Sequence, residues 1–177
     1  EFKRSPHNDL TALENLLTES QRYKKRCIVT DSVFSMDGDI APLPAIVELA
    51  EKYKCAVMVD EAHAVGVLGK NGKGAVEHFG LQKRIDIQMG TLSKAVGSFG
   101  AYCCGSRDLI VFLINRARSF IYTTGMPPSV AAASFRALEI IEMETHRRER
   151  LWQNTNYVKE AFKVLGLDTM NSQTPII

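Results

Sequence analysis

The stretch Ala56-Val57-Met58-Val59-Asp60-Glu61-Ala62-His63 carries four apolar residues straight into an acid and ends on a histidine. An apolar run this short, rich in β-branched side chains, is too brief for a helix and fits a buried strand. Pro42 and Pro44 upstream open a helix that runs to about Lys54. Before it, Cys27-Ile28-Val29-Thr30-Asp31-Ser32-Val33-Phe34 reads as a second buried strand, closed by the turn Met36-Asp37-Gly38-Asp39. Leu10, Leu13, Leu16 and Leu17, behind Asn8 or Asp9 as cap, predict an amphipathic helix from residue 9 to about 22.

Working outward in the other direction, glycine is dense between Gly66 and Gly80, which predicts an irregular loop with a short helix near Ala75 to Phe79. A strand is expected at Ile85 to Met89, the loop carrying Lys94 directly after it, a returning strand at Ala101 to Cys104, and a helix over 106–117. Ser119 to Thr123 reads as short and extended. From Ser129 to about Leu165 apolar residues recur at helical spacing, giving one long helix or two abutting ones. Strand and helix alternate throughout. That pattern gives an α/β domain with a largely parallel sheet, whose ligands bind at the carboxyl ends of the strands.

Composition narrows the partners. The chain has 177 residues, enough for one large domain, and 22 basic against 20 acidic residues leave a net charge of +2, no case for nucleic acid or a membrane surface. The basic cluster Arg22-Tyr23-Lys24-Lys25-Arg26 reads as a solvated helix end. Cys27, Cys55, Cys103 and Cys104 show no Cys-x-x-Cys spacing and are expected as reduced thiols in the cytoplasm, with Cys103 and Cys104 on opposite faces of a strand. No apolar stretch approaches the ~20 residues that span a bilayer, and no signal-peptide pattern is present. The chain opens without Met and stops just inside the apolar run Thr174-Pro175-Ile176-Ile177, as a piece of a longer protein would.

Several signatures fail on spacing. Asp60-Glu61-Ala62-His63 spells a helicase box, but no phosphate-binding Gly-x-x-x-x-Gly-Lys loop precedes it, and Ala75 stands where the lysine after Gly69 and Gly74 is needed. Taking Gly38 as the sixth position of a calcium loop puts Pro44 where a bidentate Glu belongs. His7, His63, His78 and His146 are too dispersed for a zinc site, and no metal is expected.

What remains is a constellation. Asp60 ends an apolar strand, where an unpaired carboxylate is costly and calls for a cationic partner. His63 comes three residues on, and Gly90-Thr91-Leu92-Ser93-Lys94-Ala95-Val96-Gly97 sets a lysine beside hydroxyls and small residues. A lysine so placed can form an imine with an aldehyde, while Thr91 and Ser93 can hold a phosphate. A strand-end carboxylate can keep a pyridine nitrogen protonated. The three together read as a pyridoxal phosphate site; singly, Asp60 and His63 could be structural and Lys94 merely solvated.

These motifs, with Phe2, His7-Asn8-Asp9, Leu13-Glu14, Phe34-Ser35-Met36-Asp37-Gly38-Asp39-Ile40-Ala41-Pro42-Leu43, Ala64-Val65-Gly66-Val67-Leu68-Gly69, Tyr122-Thr123-Thr124-Gly125-Met126-Pro127-Pro128 and Thr174-Pro175-Ile176, resemble the α-oxoamine synthases, pyridoxal phosphate enzymes of the aspartate aminotransferase fold. The resemblance spans nearly the whole chain. It implies an αβα large domain over 1–168, lacking its N-terminal part, and the start of a small C-terminal domain over 169–177. It implies Lys94 as the Schiff-base lysine, Asp60 as partner of the pyridine nitrogen and His63 as donor to the cofactor's phenolic oxygen. Ser35 would contact that oxygen, Thr91 the phosphate, and Thr123 or Thr124 the phosphate in the neighbouring subunit of a homodimer with shared sites.

The reaction so implied is a decarboxylating acyl transfer from an acyl thioester, on coenzyme A or a carrier protein, to an amino acid. Ser93 and the Met126-Pro127-Pro128 run sit with the branch that joins L-alanine to a pimeloyl thioester in biotin synthesis, whereas Ala64 and Val65 sit with glycine users. Glycine C-acetyltransferase, serine palmitoyltransferase and 5-aminolevulinate synthase chemistry stay open, as does a non-catalytic scaffold subunit. The ring-stacking residue and the helix start that cradles the phosphate would lie upstream of Glu1, and the arginine for the substrate carboxylate downstream of Ile177, so the isolated piece is expected to be inactive.

Overall fold

The computed structural model describes all 177 residues. Helix α1, Leu10–Glu19, starts where Asp9 Oδ1 accepts the Ala12 N–H at 2.8 Å, and it turns Leu17 inward before a single 3-10 turn, Ser20–Arg22. Strand β1, Cys27–Asp31, leads through the turn at residues 35–37 to α2, Leu43–Tyr53. Pro44 sits in the first turn of α2, where its missing N–H costs nothing. The helix ends at Lys54, whose left-handed backbone (φ 54°) lets its N–H reach the Ala50 and Glu51 carbonyls.

Strand β2, Ala56–Asp60, lies parallel to β1, pairing Cys27 with Ala56 and Asp31 with Asp60. The short helix α3, Ala75–His78, precedes β3, Ile87–Thr91, which runs parallel to β2 with Asp60 opposite Met89. Strand β4, Ala101–Gly105, returns antiparallel to β3, so the four-stranded sheet has the order β1-β2-β3-β4 with one reversed edge. Ile28, Val57 and Val59 on one face pack with Leu43, Ile46, Val47 and Ala50 of α2 and with Leu17 of α1 in the hydrophobic core. Residues 27, 29 and 31, in register with 56, 58 and 60, face the other way.

The remaining elements are α4, Arg107–Arg116, α5, Arg118–Ile121, α6, Pro128–Met143, and α7, Thr145–Val164. Three expectations change, and a fourth, left between one long helix and two abutting ones, is decided. The third strand is Ile87–Thr91 rather than 85–89, because it must match β2 and β4 on its two sides. Residues Arg118–Ile121 form a helical turn instead of an extended segment, closed by Phe120 and Ile121 N–H groups on the Ala117 carbonyl. The segment from 129 to 165 is two helices broken at Glu144 (φ −101°, ψ 67°). There the buried Arg148 guanidinium takes over the Ile141 carbonyl that the end of α6 leaves without a helical donor, and it also donates to the Lys70 carbonyl at 2.6 Å. Finally, β1 is buried on one face only: Ile28 lies in the core, whereas Cys27 and Val29, on the opposite face, are exposed.

Candidate active site

The site is assembled from the segments into which β1, β2 and β3 open at their carboxyl ends. Asp60 is the last residue of β2, and its Oδ1 accepts the Ala62 N–H at 2.8 Å, a local turn that bends the chain off the sheet. Ser32, just past β1, donates its N–H to the Asp60 carbonyl at 2.8 Å, and the Glu61 N–H reaches the Met89 carbonyl at 2.7 Å, so the three strand ends are tied side by side. The side chain of Glu61 faces inward, 2% exposed. Its carboxylate accepts the Ala75 and Val76 N–H groups at 2.9 and 2.7 Å and the Ser32 hydroxyl at 2.8 Å. Glu61 therefore caps α3 and anchors the loop that carries His63. Burial pushes its carboxyl above the ordinary range against the pull of those donors.

The Lys94 loop is held from three sides. Within it, the Leu92 N–H meets the Gly100 carbonyl at 2.8 Å and the Ser98 N–H the Leu92 carbonyl at 2.7 Å, while Leu92 and Val96 are buried. From α6, the buried Ser134 donates its hydroxyl to Ser98 Oγ at 2.8 Å. From the His63 loop, Gly66 comes so close that a Cβ there would stand 2.6 Å from the Ala95 Cβ. Lys94 itself points outward, exposed. Thr91, the last residue of β3, has its hydroxyl 2.7 Å from Ser93 Oγ and donates to the Gly100 carbonyl at 3.1 Å, which fixes both hydroxyls at the base of the loop.

Electrostatics binds these groups into one neighbourhood. Burial, then the nearby Lys94 ammonium, lowers the His63 imidazole below its ordinary value, with Asp31 and Asp60 opposing. Burial, then the like charge of Asp60, raises Asp31, with His63 and Lys94 opposing. Asp60, His63 and Lys94, singled out from sequence, thus come together, with Thr91 at the base of the same loop. Asp31 joins them and was missed, although it ends an apolar strand just as Asp60 does. No side-chain cation of this chain forms an ion pair with Asp60, whose half-buried carboxylate accepts only the Ala62 N–H.

The other candidates stand apart. Ser35 is exposed in the turn after Phe34 and makes no hydrogen bond with this group. Thr123 and Thr124 are exposed in the segment before α6, where the Thr123 N–H touches the Phe120 carbonyl at 3.5 Å and Met126 packs by Gly100. The turn at Asp37–Asp39 is occupied structurally: His7 Nε2 and Asn8 Nδ2 both lie 2.7 Å from Asp39 Oδ2. Two clefts, of about 290 and 790 Å³, also lie off the Lys94 loop; the larger runs along β1, and of the site residues only Asp31 borders it. All four cysteines are free thiols, and no helix is long and apolar enough to cross a membrane.

An exposed amine beside a neutralised imidazole and two strand-end carboxylates suits a carbonyl ligand that carries a basic ring nitrogen. Comparison with known proteins agrees. Residues 1–177 match the family model described as aminotransferase class I and II. The chain is 55% identical over 174 residues to 8-amino-7-oxononanoate synthase of Symbiobacterium thermophilum, covering 98% of this chain and 44% of that protein. It is 53% identical to 8-amino-7-oxononanoate synthase 1 of Bacillus subtilis, again over 44% of its length. Among solved structures, a serine palmitoyltransferase from S. paucimobilis superimposes with a TM-score of 0.90 at 33% identity, covering 96% of this chain and 44% of that one. The 8-amino-7-oxononanoate synthase of Francisella tularensis does so with 0.82 at 33%, covering 97% and 49%. The chain spans less than half the length of these relatives.

Proposed function

Because the chain belongs to the aminotransferase class I and II family, we propose that it is the cofactor-binding part of a pyridoxal phosphate-dependent, decarboxylating acyltransferase of the α-oxoamine synthase kind. The best-supported substrates are L-alanine and a pimeloyl thioester, pimeloyl-CoA first, in biotin synthesis in the cytoplasm. Residues 1–168 would form most of the large domain and 169–177 the beginning of a small one, in a homodimer whose sites are shared. The observation that carries the reading is the convergence of Lys94, His63 and Asp60 at the ends of β2 and β3.

Each side chain has a task that its surroundings allow. Asp60, with one oxygen held by the Ala62 N–H, presents the other to the ring nitrogen and keeps it protonated. His63, kept neutral by burial and by Lys94, donates one ring N–H to the phenolic oxygen. The Thr91 hydroxyl, assisted by Ser93, binds phosphate; Ser35 would reach the phenolic oxygen, and Thr123 or Thr124 the phosphate in a second subunit. Lys94 would hold the cofactor through its aldehyde carbon, with loss of water, and as a free amine in the substrate complex would take the α-proton. Pyridoxal phosphate, bound there, supplies an electron sink for the bonds at the substrate's α-carbon.

Titrating the full-length protein with pyridoxal phosphate and following the imine absorption near ~420 nm tests this. Lys94→Ala should abolish the band and all turnover, and L-alanine should perturb the band where glycine and L-serine do not. Absence of any band in the parent protein would leave the scaffold role. Serine is the second reading, since the serine palmitoyltransferase has the higher TM-score. Overlap within one fold says little about a substrate, however, and the relatives above 50% identity carry the 8-amino-7-oxononanoate synthase name.

A further inference from the structure

Asp31 has no task among those given to the cofactor site, yet it sits where they are performed. It is the last residue of β1 and the in-register partner of Asp60, the last residue of β2. In-register residues of parallel neighbours project to the same face from strands ~4.8 Å apart, so two carboxylates leave the sheet edge side by side. Like charges so placed repel, and the charge of Asp60 disfavours ionisation of Asp31, so a pair of this kind is costly unless a cation faces it. The Lys94 ammonium and the His63 imidazole lie close enough to act on it. Burial, then Asp60, raises Asp31, with His63 and Lys94 opposing. His63 in turn is lowered by burial and then by Lys94, with Asp31 and Asp60 opposing. Asp31 makes no side-chain hydrogen bond; the Thr30 hydroxyl at 3.0 Å goes to its carbonyl. A side chain held by nothing structural, half-buried and set against a second carboxylate, has no evident part in stability.

We propose that Asp31 is a positioning residue of this site, which with Asp60 forms a carboxylate pair whose joint negative field faces His63, Lys94 and the cationic ring nitrogen that Asp60 receives. The pair makes the site's potential more negative than Asp60 alone could. It favours protonation of any base set against it, the ring nitrogen included, while Lys94 and burial hold His63 in its neutral, hydrogen-bonding form. This rests on the reading of Asp60, His63 and Lys94 as the cofactor site, but its test does not depend on catalysis.

The test is a proton NMR titration of the histidines in the full protein without added cofactor, the His63 signal being the one lost in His63→Gln. Asp31→Asn should move the His63 titration to lower pH, because one of the two charges that favour its imidazolium is gone. Asp31→Glu should bring it back towards the parent. Asp31→Ser serves as the second neutral replacement if Asp31→Asn does not fold. A His63 titration that is the same in Asp31→Asn, or Asp31→Ser, as in the parent overturns the proposal, and so does a shift that Asp31→Glu fails to reverse, which would mark Asp31 as merely structural. The absorption band formed by Lys94 with pyridoxal phosphate is read separately on the parent. Loss of that band sinks the function, and an unmoved His63 sinks only the role of Asp31.

Discussion

At the scale of single residues, the environment decides protonation, and its sign makes the outcome testable. His63 is held below its free value of 6.5 in the folded chain, so the unfolded state binds the proton more readily. The stability that neutral His63 contributes is present above pH 6.5 and is lost as the pH falls through 6.5 towards the folded value. In His63→Gln, urea unfolding midpoints should therefore decline less than the parent's over that window. Glu61 is a different case, since its carboxylate serves three donors in a buried setting. Glu61→Ala leaves the Ala75 and Val76 N–H groups unpartnered, while the Ser32 hydroxyl keeps the Asp60 carbonyl at 2.9 Å, at a cost of about 2–4 kcal/mol in chemical denaturation. Glu61→Gln, which keeps one acceptor oxygen, should cost less. Sequence marked Asp60 and His63 through their place after an apolar run. It held no sign that Glu61, between them in the chain, turns inward while they turn to the site, because that alternation depends on where α3 comes to rest.

Elements bring the two halves of the site together at one close contact. Gly66 adopts φ +78°, and a Cβ added to it would meet the Ala95 side chain beside Lys94 at 2.6 Å. Gly66→Ala should cost about 1–3 kcal/mol through the strained backbone and the clash. It should also weaken imine formation at Lys94, read by absorption, because the loop must move away from His63. An effect on stability with none on the Lys94 band would show that the two loops are not coupled. The existence of this loop was legible in the glycine-rich stretch, but its docking was not. In the same way, helical periodicity revealed the stretch after Ser129 but not its break at Glu144, which depends on Arg148 reaching the Ile141 and Lys70 carbonyls.

For the molecule as a whole, the surface matters as much as the core. Phe112, Phe120 and Phe135 are 60, 60 and 67% exposed on α4, α5 and α6, and Tyr122 and Met126 are exposed in the segment between α5 and α6. Aromatic side chains left this open on three consecutive helices favour contact with another surface. Sedimentation velocity should find the protein associating with itself, and Phe120→Asp combined with Phe135→Asp should shift it towards monomer; a parent that stays monomeric at all concentrations contradicts this. By itself the sequence determined the alternation of strands and helices, the α/β class, and the order in which an acid, a histidine and a lysine arrive at strand ends, because these are local patterns of period and punctuation. Only the tertiary structure decided that β4 runs antiparallel, that β1 is an open edge, and that Asp31 stands beside Asp60 in register. Strand direction and register are set by hydrogen bonds between segments far apart in the chain, and no run of neighbouring residues encodes which partner each strand will find.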